Sequence, residues 1–147
     1  GLLAPGVWAA EGQKKKVGQT PHTKFAVNVE MWWTKLPFME RVKQTAELGF
    51  PAIEFWPLGG KDLPALAKLT RDLGIEIAQF TAWGFKPGLN EPKNHPAFVQ
   101  AIHEAIAAAK ILRCRKATVV AGDDVPGMTQ AEMHANVITA LKSVAKL

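Results

Sequence analysis

The stretch Phe50–Gly74, FPAIEFWPLGGKDLPALAKLTRDLG, predicts one β-strand followed by one helix. Ala52 to Trp56 form a short β-prone run, and the proline and glycines that follow predict a loop. Asp62 is a candidate N-cap for a helix whose leucines recur at helical spacing, and Gly74 is a typical C-terminal glycine. The stretch is therefore one strand-helix unit.

The same unit recurs on both sides of this stretch. Strands are predicted at 25–29, 75–80 and 117–120, and helices after Pro37, after Pro96 and after the capping-box pair Thr129 and Glu132. A long loop is expected between the third strand and its helix, from Thr81 to Asn94. Consecutive strand-helix units predict an α/β fold with a parallel sheet, because each crossover helix returns the chain to the same end of the sheet.

Two α/β architectures fit four such units. A doubly wound sheet usually carries a glycine-rich phosphate loop after its first strand, but that position here contains Glu30-Met31-Trp32-Trp33. The absence of glycine favours the other architecture, the N-terminal half of a (β/α)8 TIM barrel.

The N-terminal residues differ from the rest. Gly1–Ala10 are small and apolar and end in a pattern compatible with a signal-peptidase site, so they are interpreted as the remnant of an export signal; a ragged terminus is the alternative. Glu11–Thr23 resemble a linker. The predicted division is 1–23 as signal remnant and linker, and 24–147 as the barrel domain. If these residues are part of a signal, the protein is expected to be exported to the periplasm. Otherwise a cytoplasmic location is expected.

Composition bounds the function classes. The chain has 147 residues, 48% of them hydrophobic and 21% charged, which is typical of a globular domain, and its apolar runs are too short for a membrane helix. The net charge of +5 is dispersed, and Lys14–Lys16 is its single contiguous run, so no nucleic-acid or membrane partner is expected. Cys114 is the single cysteine and is predicted to be a small buried thiol.

Three segments carry a resemblance to a known family. KFAVNVEMWW at 24–33, PFMER at 37–41 and GFPAIEF at 49–55 resemble the start of hydroxypyruvate isomerase-like proteins of the xylose-isomerase-like TIM-barrel superfamily. The resemblance covers 24–147. It implies a parent protein roughly twice as long, in which later strands of the barrel hold a divalent metal and the proton-transferring glutamates. No catalytic or metal-binding residue is therefore assigned to this chain, which is expected to be truncated and inactive alone.

Zinc-dependent endonuclease IV-like enzymes of the same superfamily take histidine ligands partly from early strands. The histidines here, His22, His95, His103 and His134, precede a strand or fall at or within helices. A zinc cluster, and with it the nuclease function, is therefore disfavoured.

Polar residues at predicted strand ends are candidates for substrate binding. Asn28 and Glu30 alternate at the end of the first strand and are expected to share a face, and Glu54 lies at the end of the second strand. A carboxylate among apolar neighbours needs a partner, so Glu54 either faces substrate or has a structural hydrogen-bonding role. Glu30 either faces the barrel mouth or starts a solvated loop. Asp123 and Asp124 after the fourth strand could form a metal-binding pair, but a solvated turn into Pro126 and Gly127 is expected.

Tryptophans are the second group of candidates. Trp33, Trp56 and Trp83, together with Trp32, are expected in the loops after the first three strands, where indoles could stack on a sugar. The alternative is that at least two of them pack beneath the loops as a small core.

The resemblance implies a function for the intact parent: an aldose-ketose isomerase acting on a small hydroxy-carbonyl or sugar substrate such as hydroxypyruvate, by proton transfer between adjacent carbons. Two alternatives remain. The half-barrel is a binding or assembly module that dimerises through its open edges, or the scaffold carries a sugar epimerase or lyase.

Overall fold

The computed structural model describes residues 17–147, which form four strands and four helices in alternation. The strands are β1 (Ala26–Asn28), β2 (Ala52–Phe55), β3 (Glu76–Trp83) and β4 (Ala117–Val119). The helices are α1 (Phe38–Glu47), α2 (Leu63–Leu73), α3 (His95–Leu112) and α4 (Gln130–Val144), and a short 3-10 helix, Pro92–Asn94, precedes α3.

The strands pair in the order β1-β2-β3-β4, and every pairing is parallel. Each of the first three strands is thus followed by a helix that returns the chain to the start of the next neighbouring strand. This is the architecture of one half of a TIM barrel, and it confirms the predicted fold class.

One face of the sheet packs against the helices and forms the main core. This first core cluster joins strand residues such as Ile53, Phe55 and Phe80 to Val42 of α1 and Leu66 of α2. The rings of Phe55 and Phe80 stack with centroids 6.1 Å apart. The other face of the sheet, which we call the inner face, carries the side chains that point away from this core. A register shift between β2 and β3 interrupts the simple alternation, so that Ile77 belongs to the core and Gln79 to the inner face.

A second core cluster forms where the end of β3 meets α3 and α4. Its buried members are Trp83, Leu89, Phe98 and Ala140. The rings of Trp83 and Phe98 contact edge to face at a centroid distance of 5.5 Å. This cluster packs α4 against β3 and α3.

The predicted caps are confirmed. Asp62 Oδ1 accepts a hydrogen bond from the Ala65 amide at 3.0 Å, and Gly74 closes α2 in the left-handed conformation. Thr129 and Glu132 form the capping box of α4, with both reciprocal hydrogen bonds present. Local sequence therefore determined these helix boundaries.

The third strand differs from its prediction. It continues to Trp83 rather than ending at Phe80, so the following loop begins at Gly84 and not at Thr81. The extension arises because Thr81 and Trp83 pair with Thr118 and Val119 of β4, with a register shift between them. Pairing with a neighbour that is distant in sequence is not encoded by the local pattern.

Before β1, Gln19 of the segment predicted as linker pairs with Lys24, the first residue of the predicted domain, as an antiparallel bridge. The predicted export signal falls on residues 1–10, outside the described residues. No helix in 17–147 combines the length and apolar character needed to cross a membrane.

Candidate functional site

A row of polar side chains crosses the inner face, one from each strand. The Asn28 amide donates to Glu54 Oε1 at 2.8 Å, and the Gln79 amide donates to Glu54 Oε2. The Thr118 hydroxyl donates to Gln79 Oε1 at 2.9 Å. All these bonds are half-buried. We call Asn28, Glu54, Gln79 and Thr118 the polar row.

The hydrogen bonds of the polar row converge on Glu54. Donors on β1 and β3 both point toward Glu54, which accepts through both carboxyl oxygens. Asn28 is itself oriented, because its side-chain oxygen accepts from the Glu30 amide at 3.0 Å. Parallel pairing creates this convergence: Asn28 aligns with Glu54, and Glu54 aligns with Gln79. The predicted need of Glu54 for polar partners is met within the sheet.

Glu30 does not share the face of Asn28, and this part of the prediction is wrong. Its carboxylate forms ion pairs with Lys61 at 2.8 Å and with Arg41 of α1 at 3.8 Å. The chain turns at Asn28, whose backbone oxygen accepts from Met31 and Trp32, and the turn directs Glu30 toward the helices. Glu30 is therefore held by two cations, and its role in substrate binding stays a prediction.

Lys61 joins the loops that follow β1 and β2. Its ammonium donates to the backbone oxygens of Trp56 and Pro57 at 3.0 and 2.8 Å, in addition to its pair with Glu30. It also lies 4.9 Å from the centroid of the Phe38 ring. Only 10% of the Lys61 side chain is exposed. This arrangement fixes the two loops at the mouth relative to each other.

The four tryptophans do not surround one opening. Trp83 lies at the end of β3, not in a loop, and is 8% exposed because it packs in the second core cluster. Trp33 packs against the first core cluster. Trp32 and Trp56 are 45% and 43% exposed, and Trp32 contacts Trp33 and Phe50. Of the predicted indoles, Trp56 remains an exposed candidate at the end of β2.

The loops after β3 and β4 meet beside the polar row's strands. A Cβ on Gly122 would lie only 2.6 Å from Gly88 Cα, so the two loops touch backbone to backbone. The buried Asn90 amide donates to the Asp123 backbone oxygen at 2.7 Å and holds the loops together. A cleft of about 450 Å³ opens between these loops.

Other titratable candidates have structural surroundings. Asp123 lies in the turn after β4, and its Oδ2 is 3.7 Å from Nζ of the exposed Lys86. His95 Nε2 lies 3.0 Å from the Leu89 backbone oxygen, as expected of a residue at a helix start. Cys114 is buried in the first core cluster, and this burial raises the pKa of its thiol. It is thus the small buried thiol that the sequence predicts.

Side chains that could hold a metal ion are not gathered in the part of the chain that the structure describes. Within 17–147 no three side chains of histidine, cysteine, aspartate or glutamate come together as a ligand group. Glu54 accepts hydrogen bonds from two amides, and Glu30 is paired with two cations.

Gln79, Thr118 and Lys61 were missed by the sequence analysis. Gln79 and Thr118 are each a single polar residue within a short apolar strand, IAQF and ATVV, the same signal that singled out Glu54. Lys61 gave no signal, because its contacts depend on how two loops meet.

Known proteins resemble this chain in sequence and in fold. No family model matches the chain. A 2-oxo-tetronate isomerase of Pectobacterium atrosepticum is 28% identical over 113 residues, which cover 71% of this chain and 42% of the relative. An AP endonuclease, family 2, from Brucella melitensis superposes with a TM-score of 0.75 at 21% identity, covering 84% of this chain and 50% of that protein.

The chain has the fold of one half of a TIM barrel, as the superposition and the sheet topology both show. A protein from Sinorhizobium meliloti 1021 superposes similarly, with a TM-score of 0.68 at 19% identity, covering 82% of this chain and 44% of that protein. At these identities the two structural matches establish the fold alone. The chain spans about half the length of the proteins it matches, 42% to 50%.

Proposed function

We propose that residues 24–147 form the substrate-binding half of an isomerase site for a small hydroxy-carbonyl compound, of which hydroxypyruvate is the simplest example. One observation carries the proposal: a carboxylate and two amides converge on the inner face, with Asn28 and Glu54 at or next to the carboxyl ends of β1 and β2. Ligands of such barrels bind at that end. The similarity to a 2-oxo-tetronate isomerase supports the reaction class.

The polar row suits binding better than chemistry. An aldose-ketose isomerisation moves a proton between adjacent carbons and needs a base free to accept it. Both oxygens of Glu54 already accept from amides. A carboxylate held in this way accepts a substrate hydroxyl and fixes its orientation. The proton-transferring groups are proposed to lie outside 24–147, and in the parent enzyme a divalent metal is expected to be held outside this segment as well.

Binding and turnover can be measured separately on this chain. We expect hydroxypyruvate to shift the NMR signals of Asn28, Glu54 and Gln79 without conversion to its aldehyde isomer, with or without added divalent cations. Glu54→Gln should weaken binding about tenfold, because one hydrogen bond to a charged group is worth roughly 1.5–3 kcal/mol. Glu47→Gln, which changes an exposed carboxylate on α1, is the matched control.

Two results would contradict the proposal. The assigned site is wrong if hydroxypyruvate binds away from the polar row. It is also wrong if Glu54→Gln leaves the affinity unchanged. Turnover by the chain alone would show that the proton-transferring groups lie within it.

A second candidate function follows from the sheet edges. Among the described residues, β1 and β4 each pair on one side only, so both present unpaired backbone groups. Two copies closing one barrel would make the chain a dimeric binding module. A symmetric dimer with a single set of NMR signals supports the module, and heterogeneous aggregation supports the isomerase half.

A further inference from the structure

An open groove lies between α3 and the start of β4, away from the polar row. Its volume is about 540 Å³, and its apolar lining includes Phe80 of the first core cluster and Ile102, Ile106 and Ala109 of α3. These three helix residues are only half-buried. Because Phe80 belongs to the core beneath the helices, the groove lies on the helix side of the sheet. The polar row lies on the inner face, so the groove is a separate place in the fold.

The rim of this groove carries positive charge without a partner. Lys110, Arg113, Arg115 and Lys116 all line the groove, and no aspartate or glutamate does. All four side chains belong to exposed residues. Within residues 17–147 none of the four forms an ion pair, although ion pairs join other cations to carboxylates elsewhere in the fold. The groove is therefore apolar along its floor and cationic along its rim.

The end of α3 explains only part of this charge. Cations near the carboxyl end of a helix are stabilised by the helix dipole, and this effect is confined to the last turn. It accounts for Lys110 in the last turn of α3 and for Arg113 at its C-cap. Arg115 and Lys116 lie between α3 and β4, beyond that turn. Like charges beside one apolar groove repel one another, and an anion among them would relieve this repulsion.

The dimensions of the groove fit a small amphiphilic molecule. Pockets for small ligands have volumes of roughly 300–1,000 Å³ and are lined mainly by apolar side chains. Between Ile102 and Lys110 the axis of α3 rises about 12 Å. An alkyl chain that follows this part of the helix would end beside the cations. A ligand with an apolar chain and an anionic head group therefore matches both parts of the groove.

We propose that this groove binds a single-chain fatty carboxylate, with the alkyl chain along α3 and the carboxylate among the four rim cations. Burial of the chain supplies affinity, because apolar surface leaves water. Lysine and arginine donate charge-assisted hydrogen bonds to a carboxylate, so the rim selects the sign of the head group. This second ligand site does not depend on the proposed isomerase function.

Three probes separate the role of the chain from that of the head group. We expect decanoate, below the concentration at which it forms micelles, to bind in isothermal titration calorimetry and to shift the NMR methyl signals of Ile102 and Ile106. Butanoate should bind at least about tenfold more weakly, because it buries fewer methylene groups. Decyltrimethylammonium has the same alkyl chain with the opposite charge and should also bind at least about tenfold more weakly.

Two variants test the groove itself. Arg115→Gln combined with Lys116→Gln removes two rim cations and should weaken decanoate binding about fivefold, as expected for two exposed ion pairs. Lys35→Gln combined with Lys43→Gln makes the same change in net charge away from the groove and is the matched control. Ala109→Leu occupies part of the floor and leaves the rim in place, so it should also weaken decanoate binding while the circular dichroism spectrum stays unchanged.

Four results would overturn the proposal. The first is equal binding of decanoate and decyltrimethylammonium, because the cations would then not select the ligand. The second is a loss of affinity in the control pair as large as that in the rim pair. The third is a set of shifted NMR signals that excludes α3. The fourth is binding to phosphatidylglycerol vesicles without binding to monomeric decanoate, which would make the rim a membrane-binding surface. If Ala109→Leu does not fold, the rim pair and its control decide the outcome.

Discussion

Trp83 shows how one residue can serve packing rather than binding. Its indole is buried against Phe98, and Nε1 has no acceptor within residues 17–147. We expect Trp83→Ala to lower the free energy of unfolding by about 3–5 kcal/mol, because it leaves a cavity in the second core cluster. Trp83→Phe keeps most of the ring and removes the unpaired N–H, so its cost should be under about 1.5 kcal/mol. Urea denaturation measures both.

If Trp83→Ala and Trp83→Phe lower the free energy of unfolding equally, this assignment is wrong. The result would mean that the indole N–H, and not the volume of the ring, determines the contribution of Trp83 to stability.

Lys61 is the second single residue with an expected large effect. Its side chain is 10% exposed, and its ammonium is paired with Glu30, whose side chain is 22% exposed. Lys61→Met should therefore cost about 1–3 kcal/mol, less than a fully buried pair, because Glu30 retains some solvent and Arg41 at 3.8 Å. Lys43→Met breaks an exposed pair with Glu40, 44% and 48% exposed, and should cost under about 1 kcal/mol.

Thermal unfolding at low and high salt compares the two variants. If Lys43→Met is as costly as Lys61→Met, burial does not determine the strength of these pairs and the assignment fails.

At the scale of elements, the contact between the loops after β3 and β4 depends on Gly88 and Gly122. Gly122 has a φ of +117°, and a Cβ there would lie 2.6 Å from Gly88 Cα. Gly122→Ala should combine backbone strain with a clash and cost about 2–4 kcal/mol. Gly127 has a φ of +81° but open space around it, so Gly127→Ala isolates the strain and should cost about 1 kcal/mol.

The two alanine variants are compared by urea denaturation and by the NMR signal of the Asn90 amide, which reports on the contact between the loops. An undisturbed Asn90 signal in Gly122→Ala would contradict the backbone contact.

The capping box of α4 gives a pH-dependent prediction. The Thr129 hydroxyl and backbone amide, as hydrogen-bond donors, hold the pKa of Glu132 below its usual value. A lowered carboxyl pKa contributes stability that is present above the unfolded-state pKa and is lost as pH falls through the folded-state pKa. Loss of the N-cap in Thr129→Ala should cost about 1 kcal/mol at neutral pH, and the gap to the starting protein should narrow below about pH 4.5.

Denaturation curves between pH 3 and 7 check this prediction, with Thr139→Ala as the mid-helix control. A gap that widens on acidification would mean that the Glu132 carboxylate does not take part in the cap.

For the whole molecule, the two open edges of the sheet predict self-association. Among the described residues β1 and β4 have a neighbour on one side only, and Ala117 of β4 is exposed. We expect the sedimentation coefficient to rise with protein concentration. A lysine on an edge strand opposes pairing, so Ala117→Lys should reduce association, and Ala107→Lys on the exposed surface of α3 should not.

A chain that stays monomeric at all concentrations would exclude the dimeric module. Association that Ala107→Lys disrupts equally would place the contact on the helices rather than on the strand edge.

The sequence by itself determined the class of fold and the order of its elements. Apolar periodicity placed the strands and helices, and Asp62, Gly74 and Thr129 set helix ends, since caps act within a few residues of chain. It also singled out Asn28 and Glu54, because a polar residue in a short apolar strand needs a partner wherever the strand packs.

Only the tertiary structure decided what those residues contact. The partners of Glu54 lie 26 and 25 residues away in sequence, on β1 and β3, and their alignment depends on strand register. Glu30 turned to Lys61, and Trp83 joined the core, through contacts between loops and neighbouring strands. Such contacts depend on how separate elements pack together, and local sequence patterns do not predict that geometry.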